Sequence, residues 1–243
     1  MTAVRDAVAL VTGSTSGIGQ GIAQRLAEAG CRVALNSRTR PAEPVRLAGR
    51  AVPHLVGDVA DESAVADVVA GVLDRYGRLD IVVNCAGATK NVPHHDLDGI
   101  SVADWNRILG VNVVGAWNVV KAAAPHLRAS PIGAVVNISS MAGIRVTGSS
   151  LPYSVSKAAL NQLTRALAKA LGPDIRVNAV APGLIDTPWT RGWGDRQQEV
   201  LALAPLGRIG SPADVAGMVL ALVEADYVTG EIVTVDGGLS LAN

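Results

Sequence analysis

The sequence contains no phenylalanine, and aromatic residues make up 3% of its 243 positions. A hydrophobic core must therefore be filled mainly by valine, leucine, isoleucine and alanine. The 49% hydrophobic content is that of a folded globular protein and excludes a disordered one. Lysine plus arginine and aspartate plus glutamate balance at 21 each. A chain without net charge gives no electrostatic reason to expect nucleic acid or an anionic membrane as a partner.

Cysteine, histidine and long apolar runs are also scarce. Cys31 and Cys85 stand in separate apolar contexts, which predicts reduced thiols in a cytoplasmic protein rather than a disulfide framework. The histidines share no ligand spacing with cysteines or carboxylates, so we expect no metal site and a solvated His94–His95 pair. No apolar run reaches the roughly eighteen residues that a membrane span needs. Arg5 and Asp6 precede the first short apolar run, which is not the pattern of a signal peptide.

Short β-branched apolar runs alternate with longer segments of helical pattern. The short runs predict strands buried on both faces: Ala7–Val11, Arg32–Leu35, Ala51–Val56, Leu79–Val83, Ala134–Ile138, Arg176–Val180 and Glu231–Val235. The longer segments predict helices: Ile18–Ala29, Glu62–Tyr76, Val102–Leu127, Pro152–Leu171 and Pro212–Val223. This alternation predicts an α/β protein: a Rossmann-type, doubly wound, seven-stranded parallel sheet with helices on both faces, in a single domain spanning residues 1–243.

Two segments depart from the alternation. Arg38–Arg50 is short and contains two prolines, so we expect the helix at this place to be stunted. Leu184–Ala204 lacks a clean strand and carries Trp189 and Trp193, which predicts a mobile loop with a short helix, a substrate lid over approximately residues 184–204. In one interpretation these tryptophans face an apolar substrate, and in the other they contact another subunit.

A glycine-rich turn, TGSTSGIG at residues 12–19, joins the first predicted strand to the first predicted helix. Gly13 permits a tight turn, Gly17 a close approach of a ligand to the backbone, and Gly19 close packing of the helix on the strand. The free N–H groups and partial positive charge of the helix N-terminus suit a pyrophosphate. The spacing differs from GxGxxG, and a plain glycine turn is the alternative.

Tyr153 and Lys157 are one helical turn apart in the stretch YSVSK, in a chain with three tyrosines. Hydride transfer to a carbonyl requires a proton donor at the oxygen, and a free phenol has a pKa of about 10. An ammonium group on the same helix face favours the phenolate, so we expect Lys157 to lower the pKa of Tyr153. A chance surface pair is the alternative.

Together, these patterns resemble the short-chain dehydrogenase/reductase family in its single-domain branch. The motifs appear in the family's order over residues 7 to 238: TGSTSGIG at 12–19, NCAG at 84–87 with Cys85 in place of an Asn, Asn112, Ser140 thirteen positions before Tyr153, YSVSK at 153–157 and PGLIDT at 182–187. The segments PLGRIGSPADVA and YVTGEIVTVDGG resemble the C-terminal third of 3-oxoacyl-(acyl-carrier-protein) reductases.

The resemblance implies a role for each catalytic candidate. Tyr153 would be the acid/base, and Lys157 would also hold the nicotinamide ribose. Ser140 would polarise the substrate oxygen, and Asn112 would hold a water that links Lys157 to solvent. Ser139 competes with Ser140 for this role, and the family's spacing alone favours Ser140.

The resemblance also implies a set of cofactor contacts. Asp58 would contact the adenine amino group and Thr187 the nicotinamide carboxamide or the pyrophosphate, although either could instead serve as a turn or cap residue. With Tyr153 and Lys157, the predicted cofactor-binding residues are Gly13, Ser14, Thr15, Ser16, Gly17, Ile18, Gly19, Ser37, Arg38, Asp58, Val59, Asn84, Ala86, Gly87, Pro182, Gly183, Ile185 and Thr187.

The end of the second strand predicts the type of nicotinamide cofactor. An acid about twenty residues past the glycines usually binds the ribose hydroxyls of NAD, whereas a nearby Arg accommodates the 2′-phosphate of NADP. Ser37 stands at the acidic position and Arg38 follows it, which favours NADP(H) over NAD(H). Ser16 argues in the other direction, because many NADP-using relatives carry a basic residue there. Arg40 could substitute or be merely solvated.

These observations predict an NADP(H)-dependent enzyme that interconverts a carbonyl and a secondary alcohol, with a 3-oxoacyl thioester as a candidate substrate. The alternatives are the same chemistry on a sugar, steroid or small alcohol with NAD(H), a non-catalytic nucleotide-binding sensor, and an epimerase or dehydratase of the family's longer branch. Family resemblance implies a homotetramer formed through the helix faces Asn106–Lys121 and Leu160–Leu171 and the tail Asp236–Asn243. An acyl-carrier-protein partner would need a basic patch, for which the candidates are Arg128, Arg145, Arg191 and Arg196.

Overall fold

A computed structural model describes residues 4–242 of the protein, apart from the side chains of residues 195 and 196. Its strands are β1 Val8–Thr12, β2 Arg32–Ser37, β3 Arg46–Leu47, β4 Arg50–Ala51, β5 His54–Val56, β6 Ile81–Asn84, β7 Ala134–Ile138, β8 Arg176–Pro182 and β9 Ile232–Val235. Its α-helices are α1 Gly17–Glu28, α2 Glu62–Tyr76, α3 Val102–Leu109, α4 Ala116–Arg128, α5 Leu151–Leu171, α6 Gly194–Leu203 and α7 Pro212–Glu224.

Within these described residues, seven strands form one parallel sheet in the order β5-β2-β1-β6-β7-β8-β9. The predicted fold class is therefore confirmed. β1 pairs with β2 on one side and with β6 on the other, so the strand order reverses at β1. In open α/β sheets, ligands bind outside the carboxyl ends of the strands at such a reversal.

Both faces of the sheet are buried. Because aromatic residues are scarce, the side chains that cover these faces are aliphatic. One core layer includes Ile22 and Leu26 of α1 and Val219 of α7. The other includes Val72 of α2 and Leu127 of α4. All residues of β1, β6 and β7 are buried, so their continuous apolar runs are typical of central parallel strands.

Several helix ends follow the local sequence signals. Ser211 caps α7 in a reciprocal capping box with Asp214, and Pro212 occupies the first turn. Pro152 likewise lies in the first turn of α5. Gly30, with φ of 98°, follows the end of α1. These caps fix where α5 and α7 begin relative to the sheet.

The long fourth helical segment is not one uniform helix. A π-helical turn at Gly110–Gly115 separates α3 from α4, where the sequence predicts one helix over Val102–Leu127. Within the described chain, Val102–Arg128 is the helical segment long and apolar enough to cross a membrane by length and composition, and half of its most apolar window is buried in the fold. A core helix that packs against a sheet has the same properties.

The two irregular segments also have defined structures. Among the described residues, no helix lies between β2 and β5; an antiparallel β3–β4 hairpin occupies the place of the stunted helix. In the lid segment, Ile185 forms an isolated bridge with Gly210, and α6 is the expected short helix. The mobility of this lid stays a prediction.

Candidate active site

The predicted site residues meet around one cavity at the carboxyl edge of the sheet. The cavity has a volume of about 1120 Å³ and lies beside the ends of β1, β2, β6, β7 and β8. The predicted residues that line it are Gly13, Thr15, Ser16, Gly17, Ile18, Gly19, Ser37, Arg38, Asp58, Val59, Ala86, Gly87, Ser140, Tyr153, Lys157, Pro182, Gly183, Ile185 and Thr187. Residues as far apart in the sequence as Gly13 and Thr187 therefore line the same cavity.

The glycine turn lies against the backbone of the neighbouring turn after β6. A Cβ atom added to Gly13 would stand 2.7 Å from the Ala86 Cα, and one added to Gly19 would stand 2.3 Å from the Gly13 carbonyl oxygen. Gly13 and Gly17 also have φ of 59° and 53°, in the left-handed region. The turn thus requires glycine for space and for backbone conformation. The first turn of α1 faces the cavity, and the Ser16 side chain does not cap it.

Two residues predicted to contact a cofactor lie behind the cavity wall. The Ser14 hydroxyl donates to the Asn36 carbonyl oxygen and accepts from the Asn36 amide, so it joins the glycine turn to β2. Asn84 is buried and donates its side-chain amide to Asn137 Oδ1 at 2.9 Å. Both side chains therefore hold the cavity wall in place from behind. Their direct contact with a cofactor stays a prediction.

Tyr153, Lys157 and Ser140 form a compact cluster at the cavity. Ser140 and Tyr153 both line the cavity, and the Ser140 side chain lowers the pKa of the Tyr153 phenol. Lys157 is buried, its Nζ lies 5.7 Å from the centroid of the Tyr153 ring, and it donates to the Ile138 carbonyl oxygen at 2.8 Å. The α5 helix therefore presents a phenol and an ammonium group to the same cavity, with a hydroxyl from the end of β7 beside them.

The pKa of Tyr153 is raised in this structure, not lowered as its spacing from Lys157 predicts. Burial raises the pKa of Tyr153, and the hydrogen bond with Ser140, which lowers the pKa, does not outweigh it. Burial also lowers the pKa of Lys157 to about 8. The Lys157 ammonium group donates to the Ile138 carbonyl oxygen at 2.8 Å. With its pKa raised, the phenol is protonated near neutral pH, the form that can donate a proton.

Ser139 and Ser140 have different surroundings. The Ser139 hydroxyl is buried against α5, where it is hydrogen-bonded to Asn161 Oδ1 at 2.5 Å. Both serines border the cavity, but Ser140 is only half-buried and caps a short 3₁₀ turn by accepting from the Ala142 amide at 3.1 Å. The structure therefore supports Ser140 over Ser139 as the residue that faces a substrate.

Asn112 lies in the π-helical turn and is buried outside the cavity lining. Its Oδ1 accepts from the Ala88 amide at 2.7 Å, and its Nδ2 donates to the Ala88 carbonyl oxygen at 3.0 Å and to Ser156 Oγ at 2.9 Å. Ser156 in turn donates to the Tyr153 carbonyl oxygen at 2.7 Å. Asn112 thus connects the turn after β6 to the first turns of α5, and its predicted role in a water relay stays a prediction.

The end of the cavity near β2 carries the residues predicted to select the cofactor. Ser37 and Arg38 both line it, and the Arg38 side chain is exposed. Asp58 lines the same end and accepts from the Ala60 amide at 2.9 Å, so its side chain also stabilises a turn. The predicted contact between Asp58 and an adenine is compatible with this position.

The lid covers the opposite end. The Thr190 hydroxyl donates to the Ile185 carbonyl oxygen at 2.7 Å and accepts from the Thr187 amide at 3.1 Å, which pins the start of the lid. Thr187 does not cap the following helix, because Trp193 is the N-cap residue of α6. Both lid tryptophans line the cavity, and the Trp189 ring reaches 3.5 Å from the position of a Cβ atom on Gly87.

Sequence reasoning missed several residues of the site. The Thr12 hydroxyl accepts from the amides of Cys85 and Ala86, both at 3.1 Å, and thereby holds the turn after β6 against the glycine turn. A continuous apolar run ending in Thr gives no signal of this role. Apolar residues of the cavity wall were also missed, because a local pattern does not tell which apolar side chains face a cavity: Met141, Ile144, Val146, Leu203 and Leu239.

Of the arginines proposed as a basic patch, Arg145 alone among the described side chains lines the cavity. Its guanidinium donates to the Ser240 carbonyl oxygen. Arg191 is exposed in the lid. Arg128 ends α4, directly before the β7 strand begins, and so lies at the opposite edge of the sheet. The side chain of Arg196 lies outside the described residues.

The cavity fits an extended dinucleotide. Its length runs from Arg38 and Asp58 near β2, past the glycine turn, to Tyr153 and Lys157 on α5. The glycine turn packs so closely on the turn after β6 that Gly13 admits no side chain, and the α1 N-terminus supplies donors for phosphates. Among the described residues, no group of three or more His, Cys, Asp or Glu side chains is placed to hold a metal ion.

Comparison with known proteins identifies a matching family model and close sequence relatives of this chain. A family model described as enoyl-(acyl carrier protein) reductase matches residues 13–240. Ketoacyl reductase 2, as it is named, of the granaticin polyketide synthase from Streptomyces violaceoruber is 48% identical over 240 residues, covering 96% of both chains. A 3-oxoacyl-[acyl-carrier-protein] reductase of Thermotoga maritima is 37% identical, covering 96% of this chain and 97% of the relative.

A solved structure agrees with these sequence relatives. The ligand-free aldohexose dehydrogenase of Thermoplasma acidophilum superposes with a TM-score of 0.91 and 32% identity, covering 100% of this chain and 97% of that one. Relatives that share this fold therefore act on chemically different carbonyls and alcohols according to their names.

We expect Gly13→Ala to lower the stability of the protein and to abolish cofactor binding, because the added Cβ atom meets the Ala86 backbone in a left-handed turn. Gly49→Ala is the matched control: Gly49 also has positive φ, 78°, but a Cβ atom there meets nothing within 4 Å. Urea denaturation and titration with NADPH would measure both variants. If the two variants lose stability equally and both bind NADPH, then the contact between the glycine turn and the turn after β6 is required neither for stability nor for cofactor binding.

Proposed function

Because the chain belongs to the short-chain dehydrogenase/reductase family, whose members transfer a hydride between a nicotinamide cofactor and a carbonyl or secondary alcohol, we propose that it is an NADP(H)-dependent reductase of 3-oxoacyl thioesters. The observation that carries the proposal is the cluster of Tyr153, Ser140 and the buried Lys157 at one end of the cavity, with Lys157 Nζ 5.7 Å from the centroid of the Tyr153 ring.

In this proposal, each residue of the cluster acts on the substrate oxygen or on its proton. Bound NADPH supplies a hydride to the carbonyl carbon. Tyr153 donates its proton to the carbonyl oxygen, which becomes the hydroxyl of the product. Ser140 donates a hydrogen bond to the same oxygen and polarises the carbonyl. Lys157 stabilises the negative charge left on the phenol oxygen, and residues of the glycine turn hold the phosphates.

The proposed substrate class rests on the cavity wall and on the relatives. Exposed apolar side chains surround the entrance, among them Ile144, Val146, Trp189 and Leu203. Such a surface suits an acyl chain or an apolar ring better than a polyhydroxylated sugar, which would need convergent hydrogen-bond partners. Two relatives that match nearly the full chain are named as ketoacyl or 3-oxoacyl reductases. We propose Arg145, which lines the cavity, as a contact for a phosphorylated carrier arm.

We also propose a homotetramer in which the helical segment Val102–Arg128 and helix α5 of one subunit pack against the same helices of another. Val114, Trp117 and Val155 are 45% to 48% exposed on these helices in the single chain, an apolar surface that a partner subunit would cover. Sedimentation velocity at micromolar concentration should give a tetramer. A monomer at every concentration contradicts this part of the proposal.

The acid/base role predicts a loss of turnover in Tyr153→Phe. Without the phenol proton, we expect NADPH oxidation with an acetoacetyl thioester to slow by about 100-fold or more, while NADPH still binds. Tyr227→Phe, a change at a tyrosine that is 99% exposed, is the matched control and should keep normal activity. Near-normal turnover by Tyr153→Phe would refute the proposed role.

NADPH binding by the wild type without turnover across thioesters, sugars, steroids and small alcohols would support the alternative of a non-catalytic nucleotide-binding sensor.

The cofactor preference predicts a selective effect at Arg38. Arg38→Ala removes a charge-assisted contact to the 2′-phosphate, so kcat/KM for NADPH should fall about tenfold or more while kcat/KM for NADH changes little. Arg50→Ala removes an exposed arginine from the nearby hairpin, outside the cavity lining, and is the control. A wild-type preference for NADH that Arg38→Ala leaves unchanged overturns the NADP(H) assignment.

A further inference from the structure

His54 makes an unusual contact with the residue at the cofactor-selecting position. Its Nε2 lies 2.7 Å from the Ser37 hydroxyl, and the same hydroxyl donates to the Thr39 carbonyl oxygen at 2.7 Å. A hydroxyl has one hydrogen, and a carbonyl oxygen can only accept. The hydrogen between Ser37 and His54 must therefore come from Nε2. The network assigns His54 as the Nε2–H tautomer, with Nδ1 buried and unpartnered among the described residues.

Ser37 connects this imidazole to the cavity. Ser37, Arg38 and Thr39 line the cavity, whereas His54 stands behind Ser37 on β5, the edge strand of the sheet. The parallel register of β2 and β5 aligns Leu35 with His54 and so fixes the imidazole beside the end of β2. Because Nε2–H occupies a lone pair of the Ser37 oxygen, the hydroxyl hydrogen must point to another acceptor, either Thr39 or an anion in the cavity.

The charges around His54 favour a neutral imidazole in the absence of an anion. Burial, and then the positive charge of Arg40, lower the pKa of His54. None of the described carboxylates forms an ion pair with the imidazole. The charged residues of the adjoining loop and hairpin are Arg38, Arg40, Glu43, Arg46 and Arg50. Helix α2, whose charged residues are Glu62, Asp67, Asp74 and Arg75, packs on the opposite face of β5, where Gly71 meets Leu55.

We propose that His54 is a positioning residue for the 2′-phosphate of the adenosine moiety: it holds the Ser37 hydroxyl as a donor toward that anion and takes up a proton when the anion binds. This inference rests on the proposed use of NADP(H). A dianion beside Ser37 and Arg38 favours the imidazolium form of His54, since opposite charges raise the pKa of a base. The proton is taken from solvent, and no covalent bond changes.

The sign of the coupling follows from this arrangement. The pKa of His54 is below its usual value in the free protein and rises when the anion binds. Between these two values the complex holds more protons than the free protein, so binding of a 2′-phosphate strengthens as the pH falls. A ligand without the 2′-phosphate, such as 5′-ADP, brings no such charge to Ser37 and should show no coupling to His54.

Calorimetric titration with 2′,5′-ADP and with 5′-ADP tests the proposal, using the wild type, His54→Gln and Ser37→Ala. Glutamine keeps a donor near Ser37 but cannot titrate. We expect the affinity of the wild type for 2′,5′-ADP, relative to that of His54→Gln, to rise about threefold to tenfold between about pH 8 and about pH 6. Ser37→Ala should lose most of this difference. The affinity for 5′-ADP should be the same in the wild type and in His54→Gln, which also checks that this variant is folded.

Proton magnetic resonance of the wild type gives a second measurement that needs no folded variant. Among the histidine signals, the one from His54 should titrate at higher pH with 2′,5′-ADP bound than with 5′-ADP bound. Identical pH profiles in the wild type and His54→Gln, or an unmoved His54 titration, overturn the proposal while leaving the NADP(H) assignment intact. If the wild type binds 2′,5′-ADP no more tightly than 5′-ADP, the NADP(H) assignment fails, and the role of His54 fails with it.

Discussion

The close contact between the turn after β1 and the turn after β6 is the constraint on which the site depends. Gly13 leaves no room for a side chain against the Ala86 backbone, and the Thr12 hydroxyl holds the amides of Cys85 and Ala86 in place. Because β1 and β6 are the strands between which the connections reverse, this contact shapes the wall of the crevice at the reversal. Larger residues at Gly13 or Gly19 would separate the turn from the sheet and move the α1 N-terminus.

The second constraint is a buried cation. Placing the ammonium of Lys157 away from water is unfavourable, as its lowered pKa of about 8 records. The Ile138 carbonyl oxygen at the end of β7 offsets part of this cost with a hydrogen bond at 2.8 Å. The same bond fixes α5 relative to the sheet, and Tyr153, one turn earlier on α5, thereby lies next to Ser140. The chemistry of the site and the position of α5 thus depend on one costly interaction, as is common where pKa values are shifted for function.

Polar residues inside the fold extend this support away from the cavity. Asn112 connects the Ala88 backbone to Ser156, and Ser156 connects to the carbonyl of Tyr153. The π-helical turn at Gly110–Gly115 places Asn112 at this junction. Such a bulge costs regular helical hydrogen bonds, and bulges of this kind are often found at functional sites. His54 supports Ser37 from behind at the other end of the cavity, again through a side chain that does not line it.

The sequence by itself determined the fold class, because continuous apolar runs separated by helical patterns fit only buried parallel strands, and it determined Tyr153 and Lys157, because their spacing places them on one helix face. It also marked Ser140 by resemblance. Only the tertiary structure decided that Lys157 directs its charge at Ile138, that Asn112 lies in a π-helical turn, and that His54 reaches the cavity through Ser37. The physical reason is that periodicity and spacing report local geometry, whereas burial, hydrogen-bond direction and contacts between distant loops arise when the strands are assembled into the sheet.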